Sequence, residues 1–397
     1  MPKNGVIIEY RDYQEEAIEA ADNQLSKPFP NHNFLLNMAT GSGKTLTFCK
    51  VIEDFVEQNK RVLVLVDSID LVEKNFGIYE EDFNGKVGLE HGNHKALSNY
   101  QNYDVIFSSR STLAYNDKRL SNLNGDEFDL IVVDEAHHLM QPQYQKILKK
   151  FNKIPLLGAT ATPTDSNDEN DIVNKIFYGN EYFYSLERAI DDGYLVDINV
   201  KNYEIQKLID KCEKTLKDNK KEESSDYTIE SAAKLLKDSD VKAEICKNII
   251  DYCKNNKKAV IFFPTREIAK EYTKELQKYN SSLDVYYVDG ENDSELKHFE
   301  QSKDNVIVCN PIKLAEGYDC PDIDTVINLR ATKSETLFRQ VVGRGTRTSD
   351  NKTHMTVLNF FSGCSSQEPP PESIDSDEAC VLGFRAYGTI CVTAMLA

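Results

Sequence analysis

The chain is predicted to be an α/β protein built on two parallel sheets in tandem, and three observations predict it. Short apolar runs, among them Arg61–Asp67, Asp104–Ser109, Phe128–Val133, Lys258–Phe263 and Asn305–Cys309, alternate with segments of helical periodicity, the pattern of strands joined by crossover helices. The runs are apolar throughout rather than alternating, so their strands are expected to be covered on both faces. At 397 residues the chain exceeds the ~250–300 residues that one core organises, so two domains are the default.

Bulk properties narrow the function classes. A net charge of −18 argues against a general polyanion-binding surface, because long-range repulsion opposes association, but it leaves room for a local cleft. The amino terminus carries no positive-then-apolar signal pattern, and no apolar stretch approaches the ~20 residues that span a bilayer, so no membrane is expected. Nine cysteines lie scattered without Cys-x-x-Cys pairs, which fits reduced core thiols in a cytoplasmic protein better than a disulfide framework or a zinc site.

In chain order, Tyr10–Ala17 opens a helix whose apolar positions Ala17, Ile18, Ala21 and Leu25 recur at helical spacing. The Gln14 amide can both donate to and accept from an adenine edge, and Arg11 and Tyr13 could stack or hydrogen-bond beside it. The apolar run Phe34–Leu36 then leads into Met38-Ala39-Thr40-Gly41-Ser42-Gly43-Lys44-Thr45, which reads as strand, phosphate-binding loop and helix start. Glycines let the backbone N–H groups of Thr40, Gly41, Ser42 and Gly43 close around a polyphosphate. Lys44 would neutralise β/γ charge, and the Thr45 hydroxyl would ligate Mg²⁺. A helix over residues 45–58 points its positive end at the anion.

The strand Arg61–Asp67 is followed by Ser68–Val72, and the strand Asp104–Ser109 by Ser111-Thr112-Leu113. Hydroxyls at both strand ends serve as helix caps or, alternatively, as phosphate contacts that read no bases. The strand Phe128–Val133 ends in Asp134-Glu135-Ala136-His137, placing acids at the carboxyl end of a buried strand where ligands bind. Asp134 can hold Mg²⁺ through water, and Glu135 can orient and deprotonate an attacking water. Ile154–Pro163 is a strand stopped by proline, whose Thr160 and Thr162 suit, with His137, a close contact that relays change between sites.

A helix stopped by Gly193 marks the exit from a first domain, 1–198. Residues 199–240 read as a charged helical linker or insertion with a solvated face. A second α/β unit, 241–363, begins with Lys258–Phe263 and a helix opened by Thr265, continues through Leu283–Val288 and Asn305–Cys309, and closes with Met355–Phe360. From Cys364 there is no Lys or Asn, and Pro369-Pro370-Pro371 with acids precedes an apolar end. The tail 364–397 is expected to be partly disordered, its last stretch either a partner-docking strand or an unrelated appendage.

The phosphate loop, Asp134-Glu135-Ala136-His137 and a late Gln340-x-x-Gly343-Arg344-x-x-Arg347 occur in an order that resembles superfamily 2 helicases and nucleic-acid translocases across roughly residues 7 to 362. The resemblance implies two RecA-like domains with an ATP site in the cleft between them. It puts Arg11 and Gln14 near adenine, Lys44 and Thr45 at phosphate and metal, and Asp134 and Glu135 at metal and water. Gln340 would stand beside the water, Gly317 and Asp319 near the ribose, and Arg344 and Arg347 would act as arginine fingers. Ser68, Ser111, Thr112 and Thr265 would touch the nucleic-acid backbone. Arg11-Asp12-Tyr13-Gln14, the doubled histidine His137-His138 and Glu316-Gly317-Tyr318-Asp319 look most like restriction-enzyme motor subunits and repair-type translocases, which favours DNA over RNA. An RNA helicase of the same superfamily and an ATP-switched clamp that does not move are the alternatives.

Overall fold

The computed structural model describes residues 8–360 except 116, 164–170, 204, 207, 209–228, 256, 280–282, 290–292, 304, 312–319, 330–341, 344 and 351. Gly317, Asp319, Gln340, Arg344 and the tail 364–397 therefore lie outside the described residues. The chain divides into two compact units, the first ending at Ala189 and the second starting at Ile190.

The first unit is a seven-stranded sheet of β1 (Phe34–Met38), β2 (Val62–Val66), β3 (Val87–Glu90), β4 (Val105–Ser109), β5 (Leu130–Asp134), β6 (Leu156–Thr160) and β7 (Glu181–Tyr184). They lie in the order β3-β4-β2-β5-β6-β1-β7, and every neighbouring pair is parallel. Every residue of β1, β2, β4, β5 and β6 is buried, as their largely apolar composition requires. Asn37 of β1 stands beside Thr160, and Asp134 of β5 beside Ala159, so β6 ties the carboxyl ends of β1 and β5 together. That shared edge is where an open parallel sheet offers a crevice.

Helices α1 (Asp12–Leu25) and α2 (Lys44–Glu57) pack on one another and on this sheet. Helix α3 (Ile69–Asp82) follows β2, and α4 (Arg110–Tyr115) and α5 (Asp117–Ser121) follow β4. Helix α6 (Pro142–Lys150), started by proline, precedes β6. On α1, Tyr13, Gln14, Ala17, Ile18, Ala21 and Leu25 form the buried face, the helical spacing expected. Asp22 lies in that seam, and burial, reinforced by Asp54 on α2, pushes its carboxyl up to about 7. The unfolded carboxyl titrates near pH ~4. The cost of ionising Asp22 in the folded chain therefore grows from about pH 4 and is complete above about pH 7. Asp22→Asn is expected to raise the melting temperature at pH 8, and to raise it less at pH 5. Equal shifts at the two values would show that the carboxyl carries no such cost.

The second unit is a six-stranded parallel sheet of β8 (Asp197–Asn202), β9 (Lys258–Phe262), β10 (Asp284–Tyr287), β11 (Val306–Asn310), β12 (Thr325–Asn328) and β13 (His354–Asn359), ordered β10-β11-β9-β12-β13-β8. This places β8 in the second sheet, paired with β13 from Asp197–His354 to Asn202–Asn359. The first unit thus closes before residue 198, and residues 199–202 are strand rather than linker. Ile205, Leu208, Leu235 and Leu236 are buried in the second core with Ile245, Ile249 and Tyr272, so these parts of the expected linker are packed, not solvated. The apolar positions that suggested an amphipathic linker cover the sheet instead. The described cysteines Cys49, Cys246, Cys253, Cys309 and Cys320 are all free and buried. Among the described residues no helix is long and apolar enough to cross a membrane.

Candidate nucleotide site of the first unit

The turn from β1 into α2 needs glycine twice, since Gly41 has φ 88° and Gly43 φ 83°, both left-handed. A Cβ on Gly43 would stand 2.5 Å from Gln14 Nε2, so α1 lies directly against the loop. Two further contacts hold it there, and a third ties the loop to itself. The Tyr13 hydroxyl donates to Ser42 O at 2.7 Å, Gln14 Nε2 donates to the same carbonyl at 3.3 Å, and the Ser42 hydroxyl donates to Ala39 O at 2.7 Å. Arg11 Nη1 donates to the Tyr13 hydroxyl at 3.0 Å, and Gln14 Oε1 accepts from Arg11 N–H at 3.0 Å. Tyr13 also stacks on Tyr184 of β7, ring centres 3.9 Å apart. Gln14, expected beside adenine, thus also touches the phosphate loop, and Arg11 holds the two side chains, Tyr13 and Gln14, that make those contacts. Lys44 Nζ donates to Met38 O at 3.1 Å and Ala39 O at 3.3 Å, and Thr45 is half-buried in the first turn of α2.

At the end of β5, Asp134 Oδ2 accepts from Asn75 Nδ2 at 2.8 Å, and Oδ1 accepts from Glu135 N–H at 3.0 Å. Burial first, then the neighbouring Glu135, pushes the Asp134 carboxyl up to about 6, with Asn75 and Lys44 acting the other way. Glu135 takes φ 52° and ψ 52°, a left-handed conformation that costs a non-glycine residue about 1–2 kcal/mol. Its Oε2 lies 3.4 Å from His137 Nδ1, which is 3.0 Å from Thr160 Oγ1. The same Thr160 oxygen accepts from Thr162 N–H at 3.2 Å. His137, Thr160 and Thr162, expected from separate stretches to act together, are therefore one connected group, which Glu135 joins through His137. The Thr162 hydroxyl is buried and has no hydrogen-bond partner among the described residues.

These residues fit a polyphosphate with a divalent cation. The left-handed glycines open a backbone cradle at a helix start, Lys44 supplies a positive charge at its rim, and a buried carboxyl whose ionisation is disfavoured gains from a cation placed beside it.

The strand-end hydroxyls all have local partners. Ser68 accepts from Leu71 N–H at 3.3 Å as the cap of α3, Thr265 accepts from Ile268 N–H at 3.3 Å, and Ser111 and Thr112 lie 3.2 and 2.6 Å from the Ser109 hydroxyl. In the second unit Arg347 is half-buried, desolvation lowers its pKa, and its backbone bridges to Leu195. Sequence reading missed Asn75, the partner of Asp134, and the Arg110–Asp67 pair, 3.0 Å apart between the ends of β4 and β2.

Residues 7–165 match the family model described as "Type III restriction enzyme, res subunit", and residues 241–349 match "Helicase conserved C-terminal domain", together more than half of the chain. The chain is 27% identical over 378 residues to the "Putative ATP-dependent helicase IRC3" of Saccharomyces cerevisiae, covering 89% of this chain and 52% of that protein. It is 24% identical over 381 residues to the "DNA 3'-5' translocase XPB2" of Sulfurisphaera tokodaii, covering 87% and 80%. Several of the curated relatives are longer, and the chain spans about half the length of the yeast one. Its fold is similar to that of the "ATP-dependent Type ISP restriction-modification enzyme LlaBIII bound to DNA", with a TM-score of 0.68 and 20% identity over 96% of this chain and 30% of that one. With the restriction-enzyme res model on the first parallel-sheet unit, the helicase C-terminal model on the second and helicase relatives along most of its length, the chain belongs to the superfamily 2 helicases.

Proposed function

We propose that this chain hydrolyses ATP, with Mg²⁺, to move along or remodel nucleic acid, and that the nucleic acid is DNA. The observation that carries the reading is the joining of Lys44, Asp134 and the Glu135–His137–Thr160 group at neighbouring strand ends of one sheet. Lys44 and the N–H groups of the glycine loop bind and neutralise phosphate. Asp134 and Thr45 hold the cation, which when bound would polarise the transferring phosphoryl group. Glu135 takes the proton of the attacking water, its position set by His137. We assign Arg344 and Arg347 of the second unit the stabilisation of charge during transfer, for which a planar guanidinium suits. Thr160 and Thr162 would carry the state of Glu135 toward the nucleic acid, held through Ser68, Ser111, Thr112 and Thr265 on its sugar-phosphate backbone.

DNA is supported by the name of the archaeal relative, a DNA translocase, and by the restriction enzyme of similar fold, which was solved on DNA. ATP turnover measured without polymer, then with single-stranded DNA, duplex DNA and RNA at matched salt, tests the reading. A rise of at least several-fold with DNA and not with RNA is expected. Stimulation by RNA alone would move the substrate to RNA, and none by any polymer would overturn the motor.

A further inference from the structure

Tyr115 ends α4 with its side chain largely in solvent, at 74% exposure. An exposed tyrosine usually leaves its hydroxyl to water and its ring free to turn, but this one is fixed. Its hydroxyl accepts from Gln143 Nε2 at 2.6 Å, Gln143 Oε1 accepts from Arg110 Nη1 at 3.2 Å, and Arg110 Nη2 pairs with Asp67 at 3.0 Å. A chain of polar contacts thus runs from the carboxyl end of β2 to the outermost ring of α4. The charge of the neighbouring segment that carries α6 is the reverse of the chain's. Residues 141–155, which include α6, hold four lysines and no acid in a chain of net charge −18. Lys146 Nζ donates to Ala114 O at 2.7 Å, next to Tyr115, while Lys118 and Lys149 are exposed.

We propose that Tyr115 is a stacking platform for an unpaired base, and that the lysine face of α6 draws in the phosphates of the same single strand. The proposal rests on the nucleic-acid reading above and goes beyond it by naming the strand state and the residue that senses it. A positively charged surface with an aromatic face is the pair of features by which single strands are held without sequence preference. The π-face of a base is open to Tyr115 only when that base has left its stack, so the contact selects single strand over duplex. The tether through Gln143 reduces the ordering cost that an exposed ring would otherwise meet on binding.

The test is fluorescence anisotropy of a labelled oligothymidylate and of a labelled duplex with the full chain, beside ATP turnover. Tyr115→Ala should weaken single-strand binding about tenfold, change duplex binding little and leave polymer-free turnover as it was. Tyr115→Phe, which keeps the ring and loses the tether, should fall between. Abasic sites in the oligonucleotide should weaken the wild type and not weaken Tyr115→Ala further. If Tyr115→Ala binds single strands as the wild type does while its turnover still rises with DNA, the platform is wrong and the motor stands. Equal losses on duplex and single strand would also overturn the platform, in favour of a phosphate or packing role. A wild type that binds no nucleic acid sinks both readings.

Discussion

Glu135→Gln is expected to bind ATP as the wild type does and to turn it over about 10²–10⁴ times more slowly, the range a general base supplies. The substitution removes basicity and little else. Glutamine has the shape of glutamate, and its carbonyl can still meet His137 where Glu135 Oε2 now lies 3.4 Å from Nδ1. The strained φ of 52° at this position is held by the surrounding turn and stays in the variant. Nucleotide affinity by a fluorescent analogue, beside steady-state phosphate release at saturating nucleic acid, separates binding from chemistry. Normal release would remove Glu135 from the role of base, and loss of affinity would show that its charge is needed to assemble the loop instead.

Much of this site was legible because its parts obey local rules. A buried parallel strand is a mostly apolar run, and β1, β2, β4, β5 and β6 each open on an apolar stretch, so the loops at their carboxyl ends could be located from order alone. The strands that escaped notice were short, partly exposed or polar-ended. The edge strands β3, β7 and β8 mix buried with half-buried or exposed positions, as in Glu181-Tyr182-Phe183-Tyr184, and β12 is only Thr325–Asn328. Contacts that cross between elements left no periodic trace. Asn75 reaches Asp134 from the buried side of α3, and the stacking of Tyr13 on Tyr184 joins residues from opposite ends of the first unit. Gln14 makes contacts that its own chemistry does not announce. Its amide was read as complementary to a base edge, but in the fold it caps α1 and grips Ser42 O, because the loop approaches α1 closely enough to be bound by it.

Lys44→Ala is expected to abolish measurable ATP turnover and to weaken nucleotide binding, unlike Glu135→Gln, and also to change the pH dependence of stability before any ligand is added. Lys44 Nζ is held at the strand end by Met38 O and Ala39 O, where its charge favours the ionised form of buried Asp134. Asp134 already titrates near 6, above its unfolded value, so ionising it costs the folded state nothing in strong acid. The cost grows with pH and is complete above about pH 6. Removing Lys44 raises the folded pKa further, so the variant should melt close to the wild type at pH 4.5 or below, within about 1 °C. It should melt about 2–4 °C lower at pH 7.5, the shift that roughly 1 kcal/mol gives a unit of this size. Asp134→Asn in the same variant removes the ionisable group and should make the deficit against Asp134→Asn alone the same at both pH values, without restoring turnover. A Lys44→Ala protein whose deficit is the same at both pH values would show that the lysine steadies the loop through its two carbonyl contacts and not through the field it places on Asp134.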